Sequence, residues 1–330
     1  LVIDEASQCD LASVMPAVQR SKRVCVVGDP NQLRHFSFVS RGQQASLTRK
    51  FDLEALDDAL LNYRETSFLD LCFGQCGSND QVVFLDEHFR GNEQLMAFSN
   101  EQFYDGRLKV MKSLPIHQYQ SLTIKECSGV RDTKGINQLE IAAVIERIQE
   151  ITSLGDFTGA INTIGIISPY RKQSEQLLLE IQNSIPDELI ERHQIMVGTP
   201  YSFQGNERDV VMISWCIDDN THNSAIRYIN DDQVFNVSVT RAKHSLIHFT
   251  SFETEKLPYD SLLRNYMVSA RKTSFEEAEV SDIRDEFLNE VSEWLTELGC
   301  DHQCDYKVAS ITVDIPVSYT HLTLPTSSWV

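Results

Sequence analysis

Ile164-Gly165-Ile166-Ile167-Ser168-Pro169-Tyr170-Arg171-Lys172-Gln173 holds the change of pattern that decides the fold. Ile164–Ile167 is a short apolar run of strand length, Ser168-Pro169 breaks it, and Gln173–Ile181 carries apolar residues at helical spacing. The alternation recurs on both sides. Upstream, Val24–Val27 reads as a strand ending in the turn Gly28-Asp29-Pro30-Asn31. Residues 52–73 mix acidic and apolar positions at helical spacing, Val82–Leu85 reads as a strand, and Leu139–Ile151 as a helix. Downstream, Ile195–Gly198, Val210–Trp215, Val234–Val239 and Ser245–Thr250 read as strands, the third leading into Thr240-Arg241-Ala242. Strands alternating with helices predict an α/β fold with a largely parallel sheet. Ligands of such sheets sit at the carboxyl ends of strands, where the polar clusters are expected here. No internal repeat is present.

The 330 residues suffice for two or three domains. Apolar residues make up 42 % and charged residues 23 %, the balance of a globular protein. No apolar run approaches the ~20 residues that span a bilayer, so no membrane partner is expected. The net charge of −19 argues against loose sticking to nucleic acid, yet leaves room for a local basic or polar channel. Of eight cysteines, Cys9, Cys25 and Cys216 lie in or beside apolar runs and read as small buried hydrophobes. Cys72-x3-Cys76 and Cys300-x3-Cys304 lack a matching pair at zinc spacing and read as free thiols, which suggests a cytoplasmic location.

Two turns carry chemistry. Leu1-Val2-Ile3-Asp4-Glu5-Ala6-Ser7 ends an apolar strand in adjacent carboxylates. Asp4 suits Mg2+, and Glu5 suits orienting or deprotonating an attacking water. Val26-Val27-Gly28-Asp29-Pro30-Asn31-Gln32-Leu33 presents the Gln32 amide, which can donate to a phosphate oxygen and accept from water. Each alone is more often a solvated turn.

Together they resemble motifs II and III of superfamily 1 helicases, in the Upf-like (AAA_12-type) group. Further segments fit in order: Leu85-Asp86-Glu87-His88-Phe89-Arg90, Phe98-Ser99-Asn100 with Phe103-Tyr104-Asp105-Gly106-Arg107-Leu108, Ile166 to Gln173, Val197 to Asp209 (motif V) and Phe235 to Lys243 (motif VI). The resemblance covers about residues 1–250. It implies tandem RecA-like P-loop NTPase lobes with ATP and Mg2+ between them and single-stranded DNA or RNA across their tops. It implies that Gln32 senses the γ-phosphate and that Arg90 and Arg241 act as arginine fingers. Arg241, bracketed by a strand on each side, is expected to be fixed in place. Gly205 is expected to permit close backbone approach and Glu207 to accept from a ribose hydroxyl. Ser168, Pro169, Tyr170, Thr199 and Ser202 are the implied sugar–phosphate contacts, with Tyr170 a possible base stacker. The group also implies 5′-to-3′ movement.

At the C-terminal end, Asp282–Leu298 reads as an amphipathic helix capped by Ser281, with Ile283, Phe287, Val291, Trp294, Leu295 and Leu298 in one stripe and Glu290 at its edge. Tyr306–Ala309 and Ile311–Ile315 read as a hairpin carrying Asp314. Helix Glu290, hairpin and Asp314 resemble the opening of a PD-(D/E)xK nuclease domain of the very-short-patch-repair type, a restriction-endonuclease-like α/β fold. The following (D/E)-x-K is missing. Pro316–Thr326 resembles a translated transposon adapter, so 316–330 is set aside and His321 is not a ligand. The expected organisation is 1–80, end of a first RecA-like lobe; 81–255, second lobe; 256–280, connector; 281–315, start of a nuclease-like domain.

The alternatives are an RNA helicase of the same group and a non-catalytic nucleotide switch or scaffold. Leu1–Glu5 reads as a strand entered part-way, and the loop G-x-x-x-x-G-K-[ST] does not occur in the 330 residues. Without that loop's lysine and amides, this polypeptide is expected to hydrolyse ATP at or near background. Phosphate release measured with and without single-stranded DNA checks this; turnover abolished by Arg241→Ala would refute it.

Overall fold

The computed structural model describes residues 1–53, 62–76, 81–112, 121–154, 162–279, 286–300, 302, 306–308 and 311–313. In chain order the elements are β1 (Val2–Ile3), α1 (Leu11–Val18), β2 (Cys25–Val26), α2 (Arg41–Lys50), α3 (Phe68–Gln75), β3 (Glu87–His88), α4 (Glu93–Tyr104), β4 (Lys109–Val110), β5 (Leu122–Glu126), α5 (Gln138–Leu154), β6 (Ile164–Ile167), α6 (Arg171–Ser184), α7 (Asp187–Arg192), β7 (Met196–Gly198), α8 (Pro200–Phe203), β8 (Arg208–Asp218), α9 (Asn223–Ile229), α10 (Asp232–Val239), β9 (Ala242–Ser251), α11 (Leu262–Glu279), α12 (Glu286–Glu297), β10 (Tyr306–Val308) and β11 (Ile311–Val313).

The expected α/β fold with a parallel sheet is present. Five strands run in the order β5-β9-β8-β6-β7, and every neighbouring pair is parallel. Alternate residues of β8 divide between two cores. Val210 and Met212 join Ile164, Ile166 and the α5 and α6 residues Val144, Ile148, Leu177 and Ile181. Val211, Ile213 and Trp215 face the other way, with Phe203, Phe235, Leu263 and Tyr266. Both faces are therefore covered, which is why these strands read as continuous apolar runs. Gly165 supplies clearance for one cover, since a Cβ there would stand 2.8 Å from the Phe203 ring.

The structure departs from the sequence expectations at four places. Residues 82–85 form no strand; Val83 and Leu85 are 79 % and 76 % exposed, and the ladder instead pairs Glu87–His88 with Lys109–Val110. Val234–Val239 is helical rather than extended. Its β-branched run has buried side chains from Val234 to Val239, and helix becomes the better solution once Asp231 caps the amides of Gln233 and Val234. Ser238 and Thr240 then bond back to the carbonyls of Val234 and Asn236. Cys25 is exposed, whereas Cys216 is buried as expected and Cys9 half-buried. The segment read as a connector contains α11, whose Leu262, Leu263, Tyr266, Met267 and Ala270 enter the main core.

A polar node ties the sheet to its helices. Glu140 on α5 is buried and accepts from Ser214 Oγ (2.6 Å), Ser251 Oγ (2.9 Å) and the Cys216 amide (2.8 Å). That amide is turned inward by a β8 irregularity, where Cys216 adopts φ 52°. Burial raises the Glu140 carboxyl to about 7, against the opposing pull of these hydrogen bonds. The folded state thus holds its proton more tightly than the unfolded chain does. This group's contribution is fullest below the usual value of 4.5 and is lost as pH rises toward 7. Glu140→Gln should therefore gain stability relative to the parent across that window; a difference constant with pH in urea titrations would refute it.

Candidate nucleotide site and nucleic-acid edge

The carboxylates are placed by a two-stranded parallel sheet. The register Val2↔Cys25 and Ile3↔Val26 brings the ends of β1 and β2 to one edge, so Asp4-Glu5 and Gly28-Asp29 lie side by side. Ala6 N donates to Val27 O at 2.9 Å, and a Cβ on Gly28 would come within 3.1 Å of Ala6 N. Glu5 sits in the left-handed region (φ 50°, ψ 40°), uncommon for a residue with a side chain. Asp4 Oδ1 accepts from the Glu5 amide at 2.8 Å, and both residues are exposed.

The loop after β2 is held from several sides. Asp29 Oδ2 accepts from Gln32 Nε2 (3.1 Å) and from the Tyr104 hydroxyl (2.7 Å). Asn236 on α10 donates to both Asn31 O and Tyr104 Oη at 3.0 Å. Gln233 reaches Pro30 O, and Gln204 reaches Leu33 O. Leu33, 1 % exposed, packs against Val234 and Val237 of α10. Burial and the Asp29 charge push the Tyr104 phenol well above its ordinary value, so it stays a neutral donor. Tyr104, Asn236 and Gln204 lie within motif segments, yet nothing in their spacing announced a clamp. The one available signal was a lone amide in the apolar run around Asn236.

Arg241 joins this loop. It is 1 % exposed, sits just ahead of β9, and donates from Nε to Val237 O (3.1 Å) and from Nη2 to Gln32 Oε1 (3.1 Å). It is bracketed by α10 and β9, not by two strands. Burial, and then the Arg90 charge, lowers its guanidinium to about 10; Tyr104, Glu5 and Asp29 pull the other way. No carboxylate forms an ion pair with it among the described residues.

Arg90 differs. Its Nε meets Glu207 Oε2 at 2.6 Å, while Lys243 Nζ meets Glu207 Oε1 at 2.7 Å. Both carboxylate oxygens of Glu207 are thus engaged by cations, and each retains a lone pair for a further donor. Next to Arg90, His88 Nε2 accepts from Gly91 N, and burial followed by the Arg90 charge holds its ring at about 4, neutral. Gly205 has φ 74°, and a Cβ on it would touch nothing within 4 Å. The positive φ is one that side-chain-bearing residues rarely adopt, and the space beside Gly205 is open. Arg208 pairs with Ala242 at the amino ends of β8 and β9, so Glu207 and Arg241 flank the amino edge of the sheet. Only part of the polar set follows the carboxyl-edge rule.

Ser168, Pro169 and Tyr170 follow β6, and Thr199 and Ser202 follow β7, its parallel neighbour, at the opposite edge. Ser168 and Pro169 are buried, Thr199 is half-buried and Ser202 is exposed. Tyr170 donates its hydroxyl to Ala225 O (2.9 Å), and Arg131 stands 3.9 Å from its ring centre. One face is covered, so Tyr170 packs within the protein. Tyr201, 47 % exposed, is an accessible ring at this edge. Glu290 lies on α12, and β10 pairs antiparallel with β11 as the hairpin reading expected; Asp314, Ser281 and Cys304 lie outside the described residues. Among the described residues no helix is long and apolar enough to cross a membrane, and no cluster of three His, Cys, Asp or Glu is placed to hold a metal.

The AAA_12 family, an AAA domain, matches residues 63–252. The chain belongs to that family. The match contains Arg90, Glu207 and Arg241, while Asp4, Glu5 and Gln32 precede it. Among similar proteins, helicase SEN1 of Saccharomyces cerevisiae is 28 % identical over 266 residues, covering 74 % of this chain and 11 % of that protein. The probable helicase senataxin of Homo sapiens is 25 % identical over 257 residues, covering 74 % and 9 %. The DNA polymerase alpha-associated DNA helicase A of S. cerevisiae is 25 % identical over 275 residues, covering 75 % and 37 %. The chain thus spans a minor part of these relatives. Of solved structures, the PRRSV helicase aligns with TM-score 0.36 and 15 % identity, over 76 % of this chain and 34 % of that one.

The Glu207 pair gives a pH signature. Burial opposes its ionisation, but bonds and charge from Lys243 and Arg90 outweigh that and hold the carboxyl at about 2. Stability from this depressed pKa is complete above the usual 4.5 and lost as pH falls toward 2. Glu207→Gln should lower the melting temperature at pH ~7 and converge with the parent as pH falls through that window. Parallel melting curves at every pH would contradict this.

Proposed function

We propose that this chain is part of an ATP-driven helicase or translocase on single-stranded nucleic acid, built as two RecA-like lobes that close on ATP and Mg2+. The observation that carries the reading is Arg241: a buried cation bonded to Gln32, with no carboxylate partner among the described residues. A buried guanidinium without a counter-ion fits a ligand that brings negative charge.

Bound ATP and Mg2+ supply a phosphoanhydride whose transferring group gathers negative charge. The exposed Asp4 carboxylate, with one oxygen held by the Glu5 amide, suits a magnesium ion that otherwise depends on phosphate oxygens and water. Glu5, beside it in an uncommon backbone conformation, is the group that orients or deprotonates water. Gln32 reports on the terminal phosphate, and Arg241 neutralises its charge. Arg90 acts mainly by fixing Glu207 and Lys243 beside that centre. Thr199, Ser202 and the turn Ser168–Tyr170 form a strand-binding edge on the other side of the sheet, where sugar–phosphate contacts position without reading sequence.

Breaking the Gln32–Arg241 bond when the halves separate would couple nucleotide turnover to movement along the strand. The Upf-like resemblance supports 5′-to-3′ polarity. The nuclease-like opening at α12 and β10–β11 supports DNA as the strand and a fused nuclease.

The test is strand-stimulated ATP hydrolysis and unwinding of 5′- and 3′-tailed duplexes by the protein carrying this chain together with a phosphate-binding loop. Arg241→Ala should lower kcat by about a thousandfold or more with little change in strand affinity. Turnover at the parent rate in that variant would end the motor reading.

A further inference from the structure

Tyr104, the last residue of α4, is buried but joins neither core of the main sheet, whereas its neighbour Phe103 packs on one of them. Its burial therefore answers to something other than core packing, and the phenol shows what. Tyr104 Oη donates to Asp29 Oδ2 at 2.7 Å and accepts from Asn236 Nδ2 at 3.0 Å. The direction of both bonds is fixed, because a carboxylate offers only acceptors and an amide nitrogen only donors. Burial, and then the Asp29 charge, keep the phenol protonated for that donation. The helix end that carries it is held firmly. Asp105 closes α4 in the left-handed region (φ 54°), and Asn100 bonds both the amide and the carbonyl of Leu108, each at 2.9 Å. Phe103 O accepts from Asn31 Nδ2 at 2.7 Å, a second bond from the same turn of helix to the same loop.

Asp29 passes this hold on. Its Oδ1 accepts from Asn31 N at 2.9 Å, and its Oδ2, besides the Tyr104 hydroxyl, accepts from Gln32 Nε2 at 3.1 Å. Gln32 Oε1 is thereby turned to Arg241 Nη2, 3.1 Å away. Rotating that amide by half a turn would set Nε2 against a guanidinium N–H and Oε1 against the carboxylate, two repulsive contacts in place of two bonds. One carboxylate oxygen thus decides which end of Gln32 meets Arg241, and the shorter of the two bonds on that oxygen comes from Tyr104. Asn236 supports the same arrangement at a cost. Its Nδ2 donates to Asn31 O and Tyr104 Oη, while its own buried Oδ1 has no hydrogen-bond partner among the described residues. Buried acceptors left without a donor are rare and call for a reason beyond stability.

We infer that Tyr104 is a positioning residue for ATP hydrolysis: through Asp29, its hydroxyl holds the Gln32 amide with the oxygen toward Arg241. It rests on the roles of Gln32 and Arg241 proposed above. Tyr104 acts at one remove, since its hydroxyl is fully engaged by Asp29 and Asn236. A group working in this way sets the geometry that the transition state meets and adds nothing to ground-state affinity for the nucleotide. Its loss therefore appears in kcat and leaves KM alone.

The test is a double-mutant cycle on ATP hydrolysis at saturating strand, with the protein carrying this chain together with a phosphate-binding loop. Tyr104→Phe keeps the ring and should lower kcat by about tenfold with KM for ATP unchanged. In a Gln32→Ala background the same change should lower kcat no further, because the hydroxyl acts through that amide. A loss of packing or of folded protein would instead lower kcat by the same factor in both backgrounds, and that additive result overturns the inference. So does Tyr104→Phe turning over at the parent kcat, or a rise in KM in place of the fall in kcat. Should Tyr104→Phe fold poorly, Asp29→Ala gives a second cycle. It should also lower kcat at unchanged KM and add nothing to Gln32→Ala; additivity there counts against the inference equally. Arg241→Ala, run in parallel, separates this inference from the reading beneath it. Parent turnover in Arg241→Ala ends the motor reading and this inference with it. Turnover lost in Arg241→Ala but kept in Tyr104→Phe ends this inference alone.

Discussion

A guanidinium with 1 % exposure is expensive to bury, and the arrangement around Arg241 follows from how that cost is met. Two of its donors are satisfied, by the Val237 carbonyl near the end of α10 and by the Gln32 amide oxygen in the loop after β2. Glu5 and Asp29 favour the charge from farther away. For Gln32 to be there, its loop must be fixed. Asp29, Asn31 and Leu33 are each gripped by residues from α4, α8 to β8, or α10. Helix α10 is thus a joint: one side closes the main core and the other holds the loop.

The parallel sheet then sorts the chemistry by edge. Its strands all point one way, so residues that follow strands and residues that precede them reach opposite margins. Glu207 and Arg241 precede β8 and β9; Ser168 and Thr199 follow β6 and β7. The margin with Glu207 and Arg241 and the margin with Ser168 and Thr199 are therefore separated by the length of the strands.

The two arginines illustrate how environment divides a shared residue type. Arg90 is matched by Glu207, which also takes Lys243, so the trio is a self-neutralising frame with a strongly held carboxylate. Among the described residues Arg241 lacks such a partner, and its guanidinium bonds only neutral oxygens there. Residue type and motif position do not distinguish them; the location of one carboxylate does.

Much of the architecture was legible locally. The runs at 164–167, 196–198, 208–218 and 242–251 are apolar because both faces of a parallel sheet are covered, and that property needs no knowledge of the neighbours. The Asp4-Glu5 and Gln32 turns were legible because strand ends are punctuated by Gly, Pro and Asp. The helical state of Asp232–Val239 was not, since V-F-N-V-S-V suits either period and only burial on all sides chooses between them. Nor was the exposure of 82–85, where an apolar run has no strand beside it among the described residues. The amino acids by themselves determined strands, turns and which groups can ionise. Tertiary structure decided which carboxylate meets which cation, how Tyr104 and Asn236 clamp a distant loop, and that Tyr170 packs inward. Those outcomes depend on pairings between residues far apart in sequence, including Asn236 with Asn31, which no local pattern encodes.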